Sequence, residues 1–229
     1  MEGPSVDAES SGRHTVNKEP YINTVLGSNH QRARSLLPTL YLCRHGETVL
    51  NAEGRLRGLS DPDLNATGRQ QAEALASTLV PTKPLAIAAS PLRRALQTAE
   101  TIAAACGLTV EVSDDLLDRD YGPQNGHLVE DVRAIWGSVD DAPGVEPPGI
   151  VLARARSALD KATTRAMNGP VVLVSHDAVN SALLAFLEPK RWPEPTAVTQ
   201  PTGCLNILQR DFETWTVVVA GLRPSHPAP

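Results

Sequence analysis

Aromatic side chains are scarce, 3% of 229 residues, so a folded core has to be assembled from Leu, Val, Ile and Ala. Cysteine is scarcer still: Cys43, Cys106 and Cys204 lie far apart with no Cys-x-x-Cys pair. That excludes a disulfide framework or a cysteine-rich zinc site and fits a reduced, cytoplasmic setting. No apolar run approaches the roughly 18 residues of a membrane span, and the first residues lack the apolar stretch of a signal peptide. A soluble chain with no membrane partner is expected. Long basic runs are missing too, and the net charge is −5. A nucleic-acid partner, which requires a basic face, is therefore disfavoured. His-x-x-x-His and His-x-His pairs are absent, so no metal site is expected. A small anionic substrate stays open, because a few arginines can make one pocket positive on an acidic protein.

What is present reads as one α/β domain between two loose ends. Residues 1–38 mix acids, bases and small polar residues without periodicity and read as a disordered or loosely docked extension, although Tyr21 to Leu26 and Arg32 to Leu37 could dock or form short helices. Residues 39–222 carry the domain, and 223–229, with three prolines, form a tail. Within the domain, apolar runs alternate with helical patterns. Leu40 to Cys43, Leu85 to Ala89, Leu108 to Val112 and Val171 to Val174 read as strands. Thr67 is the expected cap of a helix through Leu79, and Ser90-Pro91 the expected opening of a helix that stops at Gly107. A helix through Val151, Ala155 and Leu159 follows the Pro- and Gly-rich loop from Asp140 to Gly149, and another runs from about Ala178 to Leu187. Leu205 to Leu208 and Thr214 to Ala220 could make a hairpin at a sheet edge. Alternation of this kind implies a mostly parallel sheet covered on both faces, with ligands bound beyond the carboxyl ends of its strands.

Reactive residues follow these runs. Arg44-His45-Gly46-Glu47-Thr48 comes after the first, Arg93 and Arg94 after the second, the acidic stretch Asp114, Asp115, Asp118 and Asp120 after the third, and Ser175-His176-Asp177 after the fourth. Arginine forks match phosphate oxygens, imidazole can attack or donate, and a carboxylic acid can protonate a leaving oxygen. Each element alone has a bland reading as surface decoration or a solvated loop. A merely structural role for each explains poorly why all four arrive at strand ends together.

Leu42-Cys43-Arg44-His45-Gly46-Glu47-Thr48, with Asn51, resembles the signature of the histidine phosphatase superfamily, which includes the cofactor-dependent phosphoglycerate mutases. The similarity continues through Gly58, Asp61, Leu64, Thr67-Gly68 and Gln71-Ala72, then Ser90-Pro91-Leu92-Arg93-Arg94-Ala95-Leu96-Gln97-Thr98-Ala99, then Val174-Ser175-His176. The resemblance implies a three-layer α/β/α, phosphoglycerate mutase-like fold and a small phosphorylated substrate. It implies that His45 attacks phosphorus to become a phosphohistidine, that Arg44, Arg94 and His176 hold the equatorial oxygens, and that Asn51 contacts the same phosphate. The arginine position in the Ser-Pro-Leu-x-Arg pattern selects Arg94 over Arg93. Asp118 would serve as general acid and then as the base that activates water, with Asp120 and Asp115 as rivals. No metal or other cofactor is implied, since arginines and histidines supply the positive charge.

The chain departs from the family pattern in places. Asp118 stands where glutamate is frequent, and Gly122-Pro123-Gln124-Asn125-Gly126 replaces a Gly-x-Trp-Glu-Gly pattern. Asp177 follows His176 where a small residue is usual, and should either turn away or pair with an arginine. Glu47 is expected to orient a pocket arginine. The stretch between Asp118 and His176 is short and lacks an arginine pair, which favours net hydrolysis over mutase chemistry. A mutase-type phosphotransferase and a catalytically weak phosphate-binding regulator remain the alternatives. The segment from Tyr121 to Gly149 is neither strongly basic nor aromatic, so a polyphosphorylated or base-stacking substrate is not expected. Oligomeric state is not legible in the sequence.

Overall fold

The computed structural model describes residues 37–225; the expected extension up to Leu36 and the last four residues of the tail lie outside them. Twelve elements follow one another: β1 (Thr39–Arg44), α1 (Val49–Ala52), α2 (Ala66–Leu79), β2 (Ala86–Ala89), α3 (Arg93–Cys106), β3 (Val110–Val112), α4 (Val129–Trp136), α5 (Pro148–Ala166), β4 (Val171–Ser175), α6 (Asp177–Leu187), β5 (Leu205–Arg210) and β6 (Trp215–Leu222). The six strands form one sheet in the order β3-β2-β4-β1-β5-β6. β4 pairs in parallel with both β1 and β2, and β2 in parallel with β3. β5 runs antiparallel to β1, and β6 pairs with it antiparallel, as the expected edge hairpin.

Alternation within the central strands explains the layers. Leu40, Leu42, Val171 and Leu173 face one side, where they pack with Val151, Ala155 and Leu159 of α5 and Val179 and Leu183 of α6. Tyr41, Cys43, Val172 and Val174 face the other, against Leu75 and Leu79 of α2 and Ala95, Ala99 and Ile102 of α3. Both faces are apolar, which is why these strands read as continuous runs rather than as alternating patterns. The fold is thus a three-layer α/β/α sandwich. With few rings available, small Ala side chains let the helices lie close to the sheet. Among the described residues no helix is long and apolar enough to cross a membrane.

Two helix starts differ from the sequence reading, and one helix is additional to it. α2 is capped by Asn65, not Thr67, because the Asn65 side chain accepts a hydrogen bond from the Gly68 amide at 2.8 Å. α3 opens at Arg93 rather than at Ser90-Pro91. Ser90 still belongs to the sheet edge, its amide donating to Val174 O at 3.1 Å, and Asp61, from a distant loop, accepts from the Arg93 amide at 2.6 Å. The cap therefore comes from tertiary structure. α4 has no counterpart in the sequence reading; only Val132 of its eight residues is buried. The expected stop at Gly107 holds for a local reason: its φ of +69° is left-handed, a conformation that glycine adopts without strain.

Candidate active site

β1, β2 and β4 end side by side, and their continuations build the site. The His45 amide donates to Ser175 O at 3.0 Å, so the chain beyond β1 stays tied to β4. The Arg44 amide donates to Cys204 O at 3.0 Å, and the Gly203 amide to His45 O at 2.9 Å, anchoring the same loop to the segment before β5. From above, α2 presses against it: a Cβ on Gly46 would lie 2.3 Å from Gly68 O, and one on Gly68 would lie 2.1 Å from Glu47 O. Only glycine fits at both positions. The Gly46 amide also donates to Thr98 Oγ1 at 3.0 Å, which joins the loop to the helix that carries Arg94.

His45 is fully buried. Its Nδ1 lies 2.6 Å from Gly46 O, and since a carbonyl can only accept, Nδ1 carries the proton and Nε2 the lone pair. His176 is equally buried, its ring centroid 5.1 Å from that of His45. Both imidazoles titrate well below the ordinary histidine range. For His45 burial is the main cause, followed by His176 and by Arg94, Arg44 and Arg57; for His176 it is again burial, then Arg94, Arg57 and Arg44. Both rings are therefore neutral near pH 7, and Nε2 of His45 keeps an unshared lone pair.

Arg94 is buried and donates through Nη1 to Ser60 O at 2.7 Å and through Nη2 to Gly58 O at 2.8 Å and Asp118 Oδ2 at 2.9 Å. Asp118, 1% exposed, is fixed on its other oxygen by the Arg119 amide at 2.9 Å. Its Oδ2 stands 3.6 Å from His176 Nδ1. Arg44 is buried; its Nη1 donates to Gln200 O and lies 3.4 Å from Asp177 Oδ2. Asn51 is half-buried. Its Oδ1 accepts from the Thr48 amide at 3.1 Å and from Thr48 Oγ1 at 2.8 Å, so the carbonyl end closes a capping box.

His45, Arg44, Arg94, Asp118 and His176 thus meet in one place. Arg93 does not join them: it points outward and pairs with Asp63 at 2.8 Å. Nor do the rival acids. Asp115 binds Lys161 at 2.6 Å and Ser157 at 2.8 Å, and Asp120 Oδ1 accepts from the Gly122 amide at 2.8 Å. Among the described residues Glu47 makes no ion pair with an arginine; its Oε1 accepts from Asn65 Nδ2 at 2.8 Å, because α2 rather than an arginine lies over it. Arg57, which the sequence reading missed, belongs to the cluster: it is buried, and its charge acts on both histidines. It follows a short helix instead of a strand, so the strand-end rule could not find it. Its neighbour Gly58 was the available signal.

The buried nitrogens left without partners trace the site. Among the described residues they include Arg44 Nε, Arg57 Nε, Arg94 Nε, His45 Nε2 and both nitrogens of His176. Buried polar groups are seldom left unmatched, and guanidinium donors converging on an imidazole lone pair are complementary to a tetrahedral oxyanion. No group of three His, Cys, Asp or Glu side chains among the described residues could hold a metal ion. Beside the cluster opens a cavity of about 410 Å³, lined by Arg57, Arg119, Tyr121, Arg133, Asp177 and Glu194 among others. Its lining carries three arginines, Arg57, Arg119 and Arg133, against three acids, Asp140, Asp177 and Glu194, so it is not strongly basic, in line with the sequence reading.

Comparison with known proteins points to phosphatases. The chain is 36% identical over 158 residues to phosphoserine phosphatase 1 of Hydrogenobacter thermophilus, a match covering 65% of this chain and 75% of that one. It is 35% identical over 164 residues to the glucosyl-3-phosphoglycerate phosphatase of Mycolicibacterium vanbaalenii, covering 65% and 73%. A mycobacterial glucosyl-3-phosphoglycerate phosphatase solved with VO3 superimposes with a TM-score of 0.69 at 29% identity, over 80% of this chain and 98% of that one. The profile of the histidine phosphatase superfamily (branch 1) matches residues 40–222, and the chain belongs to that family.

Proposed function

We propose that the protein hydrolyses a phosphomonoester without a metal, through a phosphohistidine on His45. One observation carries the assignment: His45 Nε2 is a buried lone pair surrounded by unpartnered guanidinium and imidazole nitrogens. In the first step Nε2 attacks phosphorus in line with the leaving oxygen, and the P–O bond breaks as the P–N bond forms. Arg44, Arg57, Arg94 and His176 face the equatorial oxygens and stabilise their charge in a site shielded from water. Asn51 adds its amide N–H. Asp118 gives a proton to the departing alkoxide. It then takes one from the water that attacks the phosphohistidine, which restores His45 and releases inorganic phosphate. Residues 39–222 hold every group this scheme needs.

The relatives' names make phosphoserine and glucosyl-3-phosphoglycerate the first substrates to test. Turnover of a phosphomonoester should survive chelator. Quenching into alkaline denaturant during turnover should trap a phosphoenzyme that is stable to base and lost in acid, and His45→Ala should abolish both phosphoenzyme and hydrolysis. Retained turnover in His45→Ala, or activity lost on chelation, would refute the scheme. Isomerisation of a phosphoglycerate faster than its hydrolysis would make the chain a mutase instead.

A further inference from the structure

Asp177 has no part in the chemistry above, yet it is built into the site. It is the first residue of α6, where the partial positive charge of the helix start favours a carboxylate. One oxygen lies 3.4 Å from Arg44 Nη1, and the other accepts from Ser181 Oγ at 3.1 Å, so the group is aimed and held. The Asp177 side chain is 41% exposed and lines the cavity, whereas Arg44 is 8% exposed. Arg44 uses its two ends differently. Nη1 is engaged by Asp177 and by Gln200 O, while Nε is buried and unpartnered.

We propose that Asp177 is a counter-ligand of Arg44 that weakens the hold on phosphate and so limits product inhibition. This rests on the phosphatase reading of the same pocket. A buried guanidinium is costly without a counter-charge, and Asp177 supplies one when no phosphate is bound. A phosphate seated on Arg44 Nε lies on the same guanidinium as this carboxylate. The two anions repel, and they divide the attraction of one cation. The phosphoryl group is gripped by several other donors, so the penalty lowers affinity for free phosphate without emptying the pocket of cations. Gln200 O keeps Arg44 in place when the carboxylate is removed, so a change at Asp177 alters charge more than geometry.

Titration of inorganic phosphate into the full chain by calorimetry tests this. Asp177→Asn should bind phosphate about tenfold more tightly than the wild type, with a matching fall in the phosphate inhibition constant during hydrolysis. Asp177→Ser, which keeps a polar group at the helix start, should show the same gain. A purely structural role would lower the melting temperature and leave phosphate affinity unchanged or weaker; that result in both variants overturns the proposal. If wild-type protein binds no phosphate at all, the phosphatase reading itself fails.

Discussion

At the scale of single residues, the site is a set of charges whose roles follow from burial. His45 and His176 are neutral because burial disfavours imidazolium and the charges of Arg44, Arg57 and Arg94 add to the penalty, and neutrality is what leaves the Nε2 lone pair of His45 available. Asp118 differs from Asp115 and Asp120 in position, not in kind. It alone of the three is buried against Arg94 and within 3.6 Å of His176. Its proposed task, protonating the leaving oxygen, matters most when that oxygen is a poor leaving group. Asp118→Asn should therefore lower kcat/KM for an alkyl phosphate by about 10²–10⁴-fold, the range of general acid catalysis. The loss should be much smaller for a nitrophenyl phosphate, whose oxygen leaves unassisted. Equal losses on the two substrates would show that Asp118 holds Arg94 rather than donating a proton.

At the scale of elements, precision comes from contacts between the nucleophile loop and its neighbours. Gly68 lies in the first turn of α2, where alanine would ordinarily be welcome. Here its Cβ would lie 2.1 Å from Glu47 O, so the helix or the loop must move. Gly68→Ala should cost about 1–3 kcal/mol, as overpacking does. Activity should fall further than the loss of folded protein explains, since the displaced loop carries His45. Urea unfolding compared with kcat/KM at a temperature where both proteins are folded separates the two effects. The elements were unevenly legible. Strands β1, β2 and β4 and helices α2, α3, α5 and α6 are readable because each has a continuous apolar run or an apolar stripe that must be buried. α4 was not, since a helix held by one buried side chain leaves little trace in periodicity. The caps of α2 and α3 were misread because a better acceptor existed nearby in sequence in one case, Asn65, and far away in the other, Asp61.

At the scale of the whole molecule, the two buried histidines link the site to stability. Their pKa values are lower in the folded protein than in the unfolded chain, so below the ordinary histidine value of about 6.5 the unfolded chain binds more protons. The unfolding free energy should then fall as pH drops below that value, by up to about 1.4 kcal/mol per pH unit for each histidine. Above pH 7 this contribution is constant. Denaturant titrations of ligand-free protein between pH 5 and 8 would show it, and a flat profile through that window would contradict the burial described here. Inorganic phosphate should lessen the fall, because a bound anion favours the charged imidazole.

The sequence by itself determined the layered fold, the strand-end position of His45, Arg44, Arg94 and His176, and the family to which they point. It could do so because burial of β strands and the carboxyl-end rule act locally along the chain. Which acid faces the pocket, that Arg57 joins it, and that Asp177 rests on Arg44 were decided only by tertiary structure. Those facts depend on side chains from separate loops meeting across a few ångströms. The energy of a charge depends on what surrounds it, and the sequence does not record those surroundings.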